Sequence, residues 1–340
     1  MNASSTQVTC RFDSPLGSLT LREQDDRLTH VLFAPSAAQQ ALPGSRPMRE
    51  PSTPLLRNAT EQLQEYFAGS RLSFRLGLDP QGTPFRRRAW EALQRIPYGA
   101  TWSYARQAQV LGAKRLARPV GQANANNPIA VIVPCHRVVG SSGRLTGYAA
   151  GMDRKRMLLQ LEADTLERIH FAPLQREHFS LLQGWLNAPH ANAAYGEGRR
   201  WTDRDVTDKY SPLVGECTPG VAAFVVQSRD QCIGYIQRYV LARHQPTATQ
   251  EQLRRLYQHI DQATSVGLDL LIGEQAWVGK GFGSAILRQF LGRHVWPRWK
   301  TAVVDPDRSH AHAIRAYTKA GFSVFDPRGK NTTTLMIARP

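Results

Sequence analysis

The sequence predicts an α+β chain of several domains. A small α/β unit comes first, a helix-turn-helix unit of winged-helix type follows, and a C-terminal α/β unit is built around a mixed central sheet. Three observations predict this. The 340 residues exceed one compact core, since domains run to about 100–200 residues. Short helices punctuated by glycine fill the stretch from Phe85 to Ala125, as a helix-turn-helix requires. Beyond Leu166, apolar strands alternate with amphipathic helices, the pattern of a sheet covered by helices.

Taken in order, Val8–Phe12 and Leu19–Leu21 read as strands around the turn Ser14-Pro15-Leu16-Gly17. The stretch Ala34–Pro54, rich in Ala, Gln, Pro and Ser, reads as a loop. Leu55–Phe67 carries apolar residues at helical spacing and stops at Gly69. Helices are expected over Phe85–Ile96, closed by Pro97 and Gly99, and over Ser103–Leu111, with Thr101 or Ser103 as N-cap. A third runs from about Leu116 to Ala125. The apolar run Ile129–Val133 reads as a buried strand, and Asp153–Leu161 as the helix closing the unit. A linker is expected near Ala163–Thr165, giving domains 1–80, 81–163 and 166–340. The last domain offers helices at His178–Leu186, Gly283–His294 and Ala311–Ala320. Its strands are expected at Val221–Gln227, Cys232–Tyr239, Gly267–Gly273 and Thr301–Val304.

A formal net charge of +16 favours a polyanionic partner through counterion release. No apolar run reaches the roughly 20 residues of a membrane span, and Met1–Arg11 lacks the apolar core of an export signal. A cytoplasmic chain with free thiols is therefore expected. Its four cysteines, Cys10, Cys135, Cys217 and Cys232, form no metal-binding spacing.

One of these thiols has the surroundings of a nucleophile. Pro134 ends the apolar run and presents Cys135 at the start of a turn, followed by His136. A thiol attacks as thiolate and needs a base or a positive field. Adjacent side chains diverge, so a water bridge between Cys135 and His136 is expected rather than direct contact. A histidine in that role needs a carboxylate to hold its tautomer, and Glu162 on the closing helix is the candidate. The competing reading is a buried structural cysteine.

Val133-Pro134-Cys135-His136-Arg137-Val138-Val139 resembles the active-site motif of the O6-alkylguanine-DNA alkyltransferases, and the resemblance extends over residues 8–163. Asn127-Pro128 stands where that family has an Asn that orders the turn. Ser142–Tyr148 matches its substrate-pocket loop, and Ala117-Arg118-Pro119-Val120-Gly121 its recognition helix. The resemblance implies direct, single-turnover transfer of the alkyl group from O6-alkylguanine, and from O4-alkylthymine, in double-stranded DNA to Cys135, through a Cys–water–His–Glu relay. It implies minor-groove docking of the second helix, with Gly121 and Ala123 close to the backbone. Arg118 would take the place of the flipped base, and Tyr104 would rotate the phosphate and donate to guanine N3. The carbonyls of Cys135 and Val138 would accept from the exocyclic amine. The Ala149 amide would bond O6, and Tyr148 would pack the pocket wall. Pro119 fits only a first helical turn, so the helix should begin near Ala117. Ala150 stands where bacterial relatives often have Gly, which would narrow the pocket. Gln24 and Thr29 occupy the places of the zinc ligands found in some relatives, so no metal is expected.

In the second half, Val278-Gly279-Lys280-Gly281-Phe282-Gly283-Ser284 opens a helix, where glycines and a helix N-terminus suit a pyrophosphate. No P-loop spacing occurs. With Asp305-Pro306 and His310–Phe322, this stretch resembles the GNAT acetyltransferases over residues 166–340, and Gly184–His190 with Gly234-Tyr235 resembles the aminoglycoside 6′-N-acetyltransferases and the hydroxylysine acylators of siderophore pathways. The resemblance implies acetyl-CoA on Val278, Gly279, Lys280, Gly281, Gly283, Ser284 and His310. Tyr317 would protonate the leaving thiolate and Asp269 would stand near the acceptor amine. The segment Arg243–Asp261 is not strongly acidic, which argues against a polycationic acceptor. A small-molecule amine and a monomeric chain are expected. Three readings follow: a repair protein with a working acetyltransferase, a DNA-binding regulator that senses alkylation at Cys135, or a repair domain with a non-catalytic GNAT partner.

Overall fold

The computed structural model describes residues 7–34, 51–112, 114–193, 195–216, 218–244, 251–325 and 333–340. It divides into two compact units, Met1–Leu166 and Glu167–Pro340. Cys217 and most of the loop expected over Ala34–Pro54 lie outside the described residues.

The first unit opens with an antiparallel sheet of β1 (Gln7–Ser14), β2 (Gly17–Gln24) and β3 (Arg27–Phe33). The β1–β2 turn is closed by Ser14 Oγ donating to the Gly17 carbonyl at 2.6 Å, with Gly17 at φ +107°. The third strand was not expected. Its turn is Asp25-Asp26, both at positive φ, a conformation aspartate tolerates but without the Asn-Gly or Asp-Gly signature that marks a hairpin. Helix α1 (Pro54–Phe67) starts at Thr53, whose hydroxyl accepts from the Leu56 amide at 3.1 Å, and buries Leu56, Ala59 and Leu63.

Helices α2 (Pro84–Leu93), α3 (Tyr104–Val110) and α4 (Ala117–Ala125) form the helix-turn-helix part. Helix α2 ends before the expected Ile96, because Pro97 disfavours helical geometry in the residue before it. Ser103 caps α3 by accepting from the Arg106 amide at 3.1 Å. Helix α4 begins at Ala117, which places Pro119 in its first turn. Buried polar contacts tie the three together. Trp90 Nε1 donates to the Ala123 carbonyl at 2.8 Å, Gln107 Nε2 to the Ala89 carbonyl at 3.0 Å, and Asn124 Nδ2 to Gln107 Oε1 at 2.8 Å.

Ile129–Val133 is buried as expected but is not a strand. Val131 sits at φ +69°, and the Val133 amide donates back to the Ile129 carbonyl at 3.0 Å, so the run is a compact turn. An apolar run of this length satisfies either geometry. Two short parallel strands, β4 (Trp102–Ser103) and β5 (Val138–Val139), flank the turn that bears Cys135. Helix α5 (Met152–Glu167) continues through 163–165, where a linker was expected. That stretch holds neither glycine nor proline to stop it.

The second unit is a seven-stranded mixed sheet, ordered β11-β12-β10-β9-β8-β7-β6. In chain order its elements are β6 (Ile169–Pro173), α6 (Phe179–Asn187), α7 (Pro189–Asn192), α8 (Asp203–Tyr210), β7 (Val221–Ser228), β8 (Gln231–Val240), α9 (Glu251–Tyr257), β9 (Ser265–Ile272), α10 (Phe282–Phe290), β10 (Thr301–Val304), α11 (Ala311–Ala320), β11 (Ser323–Val324) and β12 (Met336–Ala338). Among the described residues of this sheet only β9 and β10 pair in parallel, over Ser265–Gly267 against Thr301–Val303. Beyond that register β9 runs on to Ile272 bonded to β8 alone. The two strands part there and leave a cleft in the sheet.

Candidate active sites

The first site is built where the turn after Pro134 meets α4, α5 and the loop before α5. Cys135 is only 7% exposed, yet it lines a cavity of about 300 Å³ with Tyr104, Gly121, Asn124, Ala125, Gly147, Tyr148 and Ala149. A nearly buried cysteine thus borders space of ligand size. Asn127 Nδ2 donates to Cys135 Sγ at 3.1 Å and to the Val133 carbonyl at 2.8 Å, while Asn127 Oδ1 accepts from the Ile129 amide at 3.0 Å. Burial pushes the thiol pKa up; the Asn127 hydrogen bond and the Lys155 charge pull it back part of the way. The thiol is therefore the resting form, and a base must take its proton when it reacts.

A buried imidazole follows the thiol in sequence. His136 Nε2 lies 3.0 Å from Glu162 Oε1, with both side chains fully buried. Burial works against the Glu162 carboxylate, but the Arg137 guanidinium and the hydrogen bonds from His136 and Arg137 outweigh it and hold the group well below the usual carboxylate range. An ionised carboxylate only accepts, so the imidazole proton resides on Nε2 and the lone pair on Nδ1. Burial keeps His136 neutral, against the pull of Glu162. Its Nδ1 is buried without a hydrogen-bond partner among the described residues, which leaves it able to accept a proton.

Glu162 is held from four sides. Arg137 Nε meets both carboxylate oxygens at 3.0 Å and its Nη2 reaches Oε1 at 2.8 Å. Tyr66 Oη donates to Oε1 and the Gly99 amide to Oε2, each at 2.8 Å. Sequence reasoning missed Arg137, Tyr66 and Gly99 as partners, although Arg137 adjoins His136 in the same motif. It also missed Lys155. This buried ammonium donates to the Val138 carbonyl at 2.6 Å and to the Thr146 carbonyl at 2.7 Å, fastening the pocket loop to β5. A lysine on a polar helix gives no sign that it will be buried.

The other expected DNA contacts divide. Tyr104, Gly121, Tyr148 and Ala149 border the cavity with Cys135, and Tyr104 Oη donates to the Thr146 carbonyl at 3.4 Å. Burial raises the Tyr104 pKa, so its phenol stays protonated and can donate. Arg118 is exposed on the first turn of α4. Val138 offers its carbonyl to Lys155, which leaves one of its two lone pairs. Ala123 is a correction. It is 1% exposed and faces the helix-turn-helix core with Val120 and Asn124, at helical spacing from Val120. It cannot approach a DNA backbone.

Replacing Asn127 by Ala is expected to raise the pKa of Cys135, because a hydrogen bond to the thiolate is lost. It also strands the Ile129 amide and destabilises the unit by about 1–3 kcal/mol. The pH midpoint of Cys135 alkylation by iodoacetamide should move upward, and an unmoved midpoint would remove Asn127 from the thiol's activation.

The second site occupies the cleft between β9 and β10. A cavity of about 290 Å³ is lined by His190, Tyr195, Asp269, Val278, Asp305, His310 and Tyr317, among others. Asp269 accepts from Gln237 Nε2 at 2.5 Å, and burial raises its pKa. Burial, with the Asp269 charge, lifts the Asp305 carboxyl to about 6. Burial first, then these two carboxylates, hold the Tyr317 phenol well above its ordinary value. Val278 and His310 thus share the cavity with Tyr317 and Asp269. Gly279, Lys280, Gly281, Gly283 and Ser284 run into α10, with Gly279 and Gly281 at φ +76° and +98° and Gly281 as the N-cap. Side chains would strain both positions. Ser284 Oγ donates to the Gly281 carbonyl at 3.1 Å, which leaves its oxygen able to accept. Asp305 and Tyr195 were not anticipated as lining residues. Arg243, the start of the expected acceptor segment, is absent from this cavity among the described residues.

Family models match in three places. The ribonuclease-like domain of 6-O-methylguanine DNA methyltransferase matches residues 10–80, its DNA-binding domain residues 84–164, and an acetyltransferase (GNAT) domain residues 175–328. The methylated-DNA–protein-cysteine methyltransferase of Mycolicibacterium paratuberculosis is 49% identical over 150 residues, 44% of this chain and 88% of that protein. The crystal structure of Mycobacterium tuberculosis O6-methylguanine methyltransferase is 42% identical with a TM-score of 0.43, covering 51% of this chain and 99% of that one. The structure of AAC(6′)-Ib with paromomycin and acetyl-CoA is 26% identical with a TM-score of 0.41, covering 50% of this chain and 93% of that one. With the relative from M. paratuberculosis matched over nearly its whole length, the chain belongs to the methylated-DNA–protein-cysteine methyltransferase family and carries an acetyltransferase (GNAT) domain after its alkyl-transfer half.

Proposed function

We propose that the first unit repairs DNA by moving the alkyl group of O6-alkylguanine onto Cys135, once per chain. The observation that carries this reading is a cysteine lining a cavity, next in sequence to an imidazole bound to an ionised, buried carboxylate. His136 Nδ1 takes the thiol proton through water, and Glu162 stabilises the resulting imidazolium. The thiolate attacks the alkyl carbon, the carbon–O6 bond breaks, and guanine leaves with the electron pair. Tyr104, protonated at neutral pH, donates to the departing base as its charge grows. Arg118, exposed on α4, fills the gap in the stack left by the extruded nucleotide. The thioether has no internal route back, so the chain is consumed. A duplex carrying radiolabelled O6-methylguanine in excess should label the protein to one methyl per chain and then stop; continued turnover would overturn the suicide reading.

We propose further that the second unit acetylates a small-molecule amine. The parted strands β9 and β10 and the glycine-rich start of α10 fit acetyl-CoA, with Gly279–Ser284 toward its pyrophosphate. Acetyl-CoA supplies the activated acyl group. Asp269 holds the acceptor's ammonium and takes one of its protons, the free amine attacks the thioester carbonyl, and the carbon–sulfur bond breaks. Tyr317, held protonated, gives its proton to the leaving thiolate, and the excess proton on the new amide nitrogen returns to the phenolate through water. Isothermal titration should show one acetyl-CoA per chain, and absence of binding would leave this unit without a catalytic role.

A further inference from the structure

A second cavity in the GNAT unit lies away from the acetyl-CoA cleft. It measures about 380 Å³ and is lined by Arg238, Arg243, Arg298, Trp299, Gly220 and Val240, among others. It sits at the end of the sheet where β7, β9 and β10 begin and β8 ends, since Ala222 pairs with Arg238, Val240 with Val266, and Thr301 with Ser265. The cleft with Asp269 and Asp305 lies toward the other ends of β9 and β10. Gln237 points to the Asp269 face of β8, so the next residue, Arg238, points to the opposite face.

Three arginines line this cavity, and no acidic residue lines it among the described residues. Like charges gathered around one partly enclosed space repel, and an anion between them relieves that repulsion. The geometry is also built. Trp299 is buried, and its indole lies 4.2 Å from the Arg238 guanidinium carbon and 5.2 Å from that of Arg298. Such contacts hold guanidinium planes in fixed orientations. Gly220, at φ +86°, leaves the space Arg243 needs, because a Cβ there would come within 2.9 Å of Arg243 Cδ. Guanidinium forks pair bidentately with phosphate oxygens, and three of them suit an anion that carries several. The volume lies in the range of small-molecule sites.

We propose that this cavity binds a phosphate-bearing anion through Arg238, Arg243 and Arg298. The same chemistry is offered by a phosphodiester of nucleic acid and by a free phosphorylated metabolite. The site is independent of acetyl transfer, so it stands whether or not the cleft is catalytic.

Pyrophosphate, titrated calorimetrically into the full chain already saturated with coenzyme A, is expected to bind once. The Arg243→Gln/Arg298→Gln double variant changes two exposed side chains. It should weaken pyrophosphate by at least about tenfold while the thermal unfolding midpoint, which reports the fold, is kept. On the native chain, pyrophosphate should protect Arg243 and Arg298 from phenylglyoxal, but not Arg204, an exposed arginine on α8. Undamaged duplex DNA separates the sources. A double variant that binds DNA more weakly, with a salt slope reduced by about two, identifies a phosphodiester. Unchanged DNA affinity with lost pyrophosphate binding identifies a free phosphorylated compound. No pyrophosphate heat in the native chain, equal affinity in the double variant, or absent protection would each overturn the proposal.

Discussion

Replacing Glu162 by Gln is expected to destabilise the first unit by about 3–5 kcal/mol at neutral pH, the range for breaking a buried ion pair. Glutamine occupies the same space but leaves the buried Arg137 guanidinium without its counter-charge and His136 without an anionic acceptor. The pH dependence tests the cause. The folded pKa of Glu162 lies far below its ordinary value of 4.5, so its contribution is complete above that value and is lost as pH falls through the folded pKa. The gap between native chain and variant should therefore be constant above about pH 5 and close in stronger acid. His136 acts in the same direction at higher pH. Its folded pKa is lowered below 6.5, so the native chain also loses stability as the medium drops below that value. Alkyl transfer should slow by about 10²–10⁴-fold, as for loss of general-base assistance. DNA affinity should hold, because Glu162 is fully buried and touches no solvent. Chemical denaturation across pH, with single-turnover transfer rates, checks both parts; a gap that persists undiminished in acid would show that the charge of Glu162 is not what holds the site.

Tyr317→Phe is expected to lower the acetyl-transfer kcat by about 10²–10⁴-fold, with little change in acetyl-CoA affinity. The phenol lines the cleft with Asp269 and Asp305, and burial with those two negative charges keeps it protonated through neutral pH. Phenylalanine preserves its packing against Phe322, a ring contact at 5.6 Å, so the variant should fold. Steady-state kinetics with a reactive amine acceptor and calorimetric binding of acetyl-CoA separate the outcomes. An unchanged kcat would make Tyr317 a packing residue and move proton delivery elsewhere. Loss of acetyl-CoA affinity would place it in cofactor binding.

Most of the first site was legible because its chemistry is local in sequence. Cys135, His136 and the turn set by Pro134 are consecutive, and Asn127 lies within the same buried turn. Glu162 was reachable because a neutral histidine base needs a carboxylate and the closing helix carries one. What holds Glu162 was not legible. Tyr66 belongs to α1 and the Gly99 amide to the turn after α2, so only tertiary folding joins them to the carboxylate. The Ile129–Val133 run was misread because hydrophobicity reports burial and not backbone geometry, and the positive φ of Val131 is unusual for a β-branched residue. Ala123 was misassigned for a similar reason. Small size suggested close approach to DNA, but the residue's place on α4 turns it inward, while Gly121 borders the cavity. In the second unit the strands β7 to β10 and the helices α6, α10 and α11 were readable from alternation, whereas the short α7, α8, α9, β11 and β12 were not. The parting of β9 from β10 was not, because register is a property of paired strands.

The most direct measurement is mass spectrometry of the full chain after reaction with a duplex containing one O6-methylguanine. Peptide mapping should place a single methyl group on Cys135, with none on Cys10, whose buried thiol is raised to about 11 by burial and by Glu23, and none anywhere in Cys135→Ala. A methyl group found on another residue, or an unmodified chain beside a repaired duplex, would contradict the account.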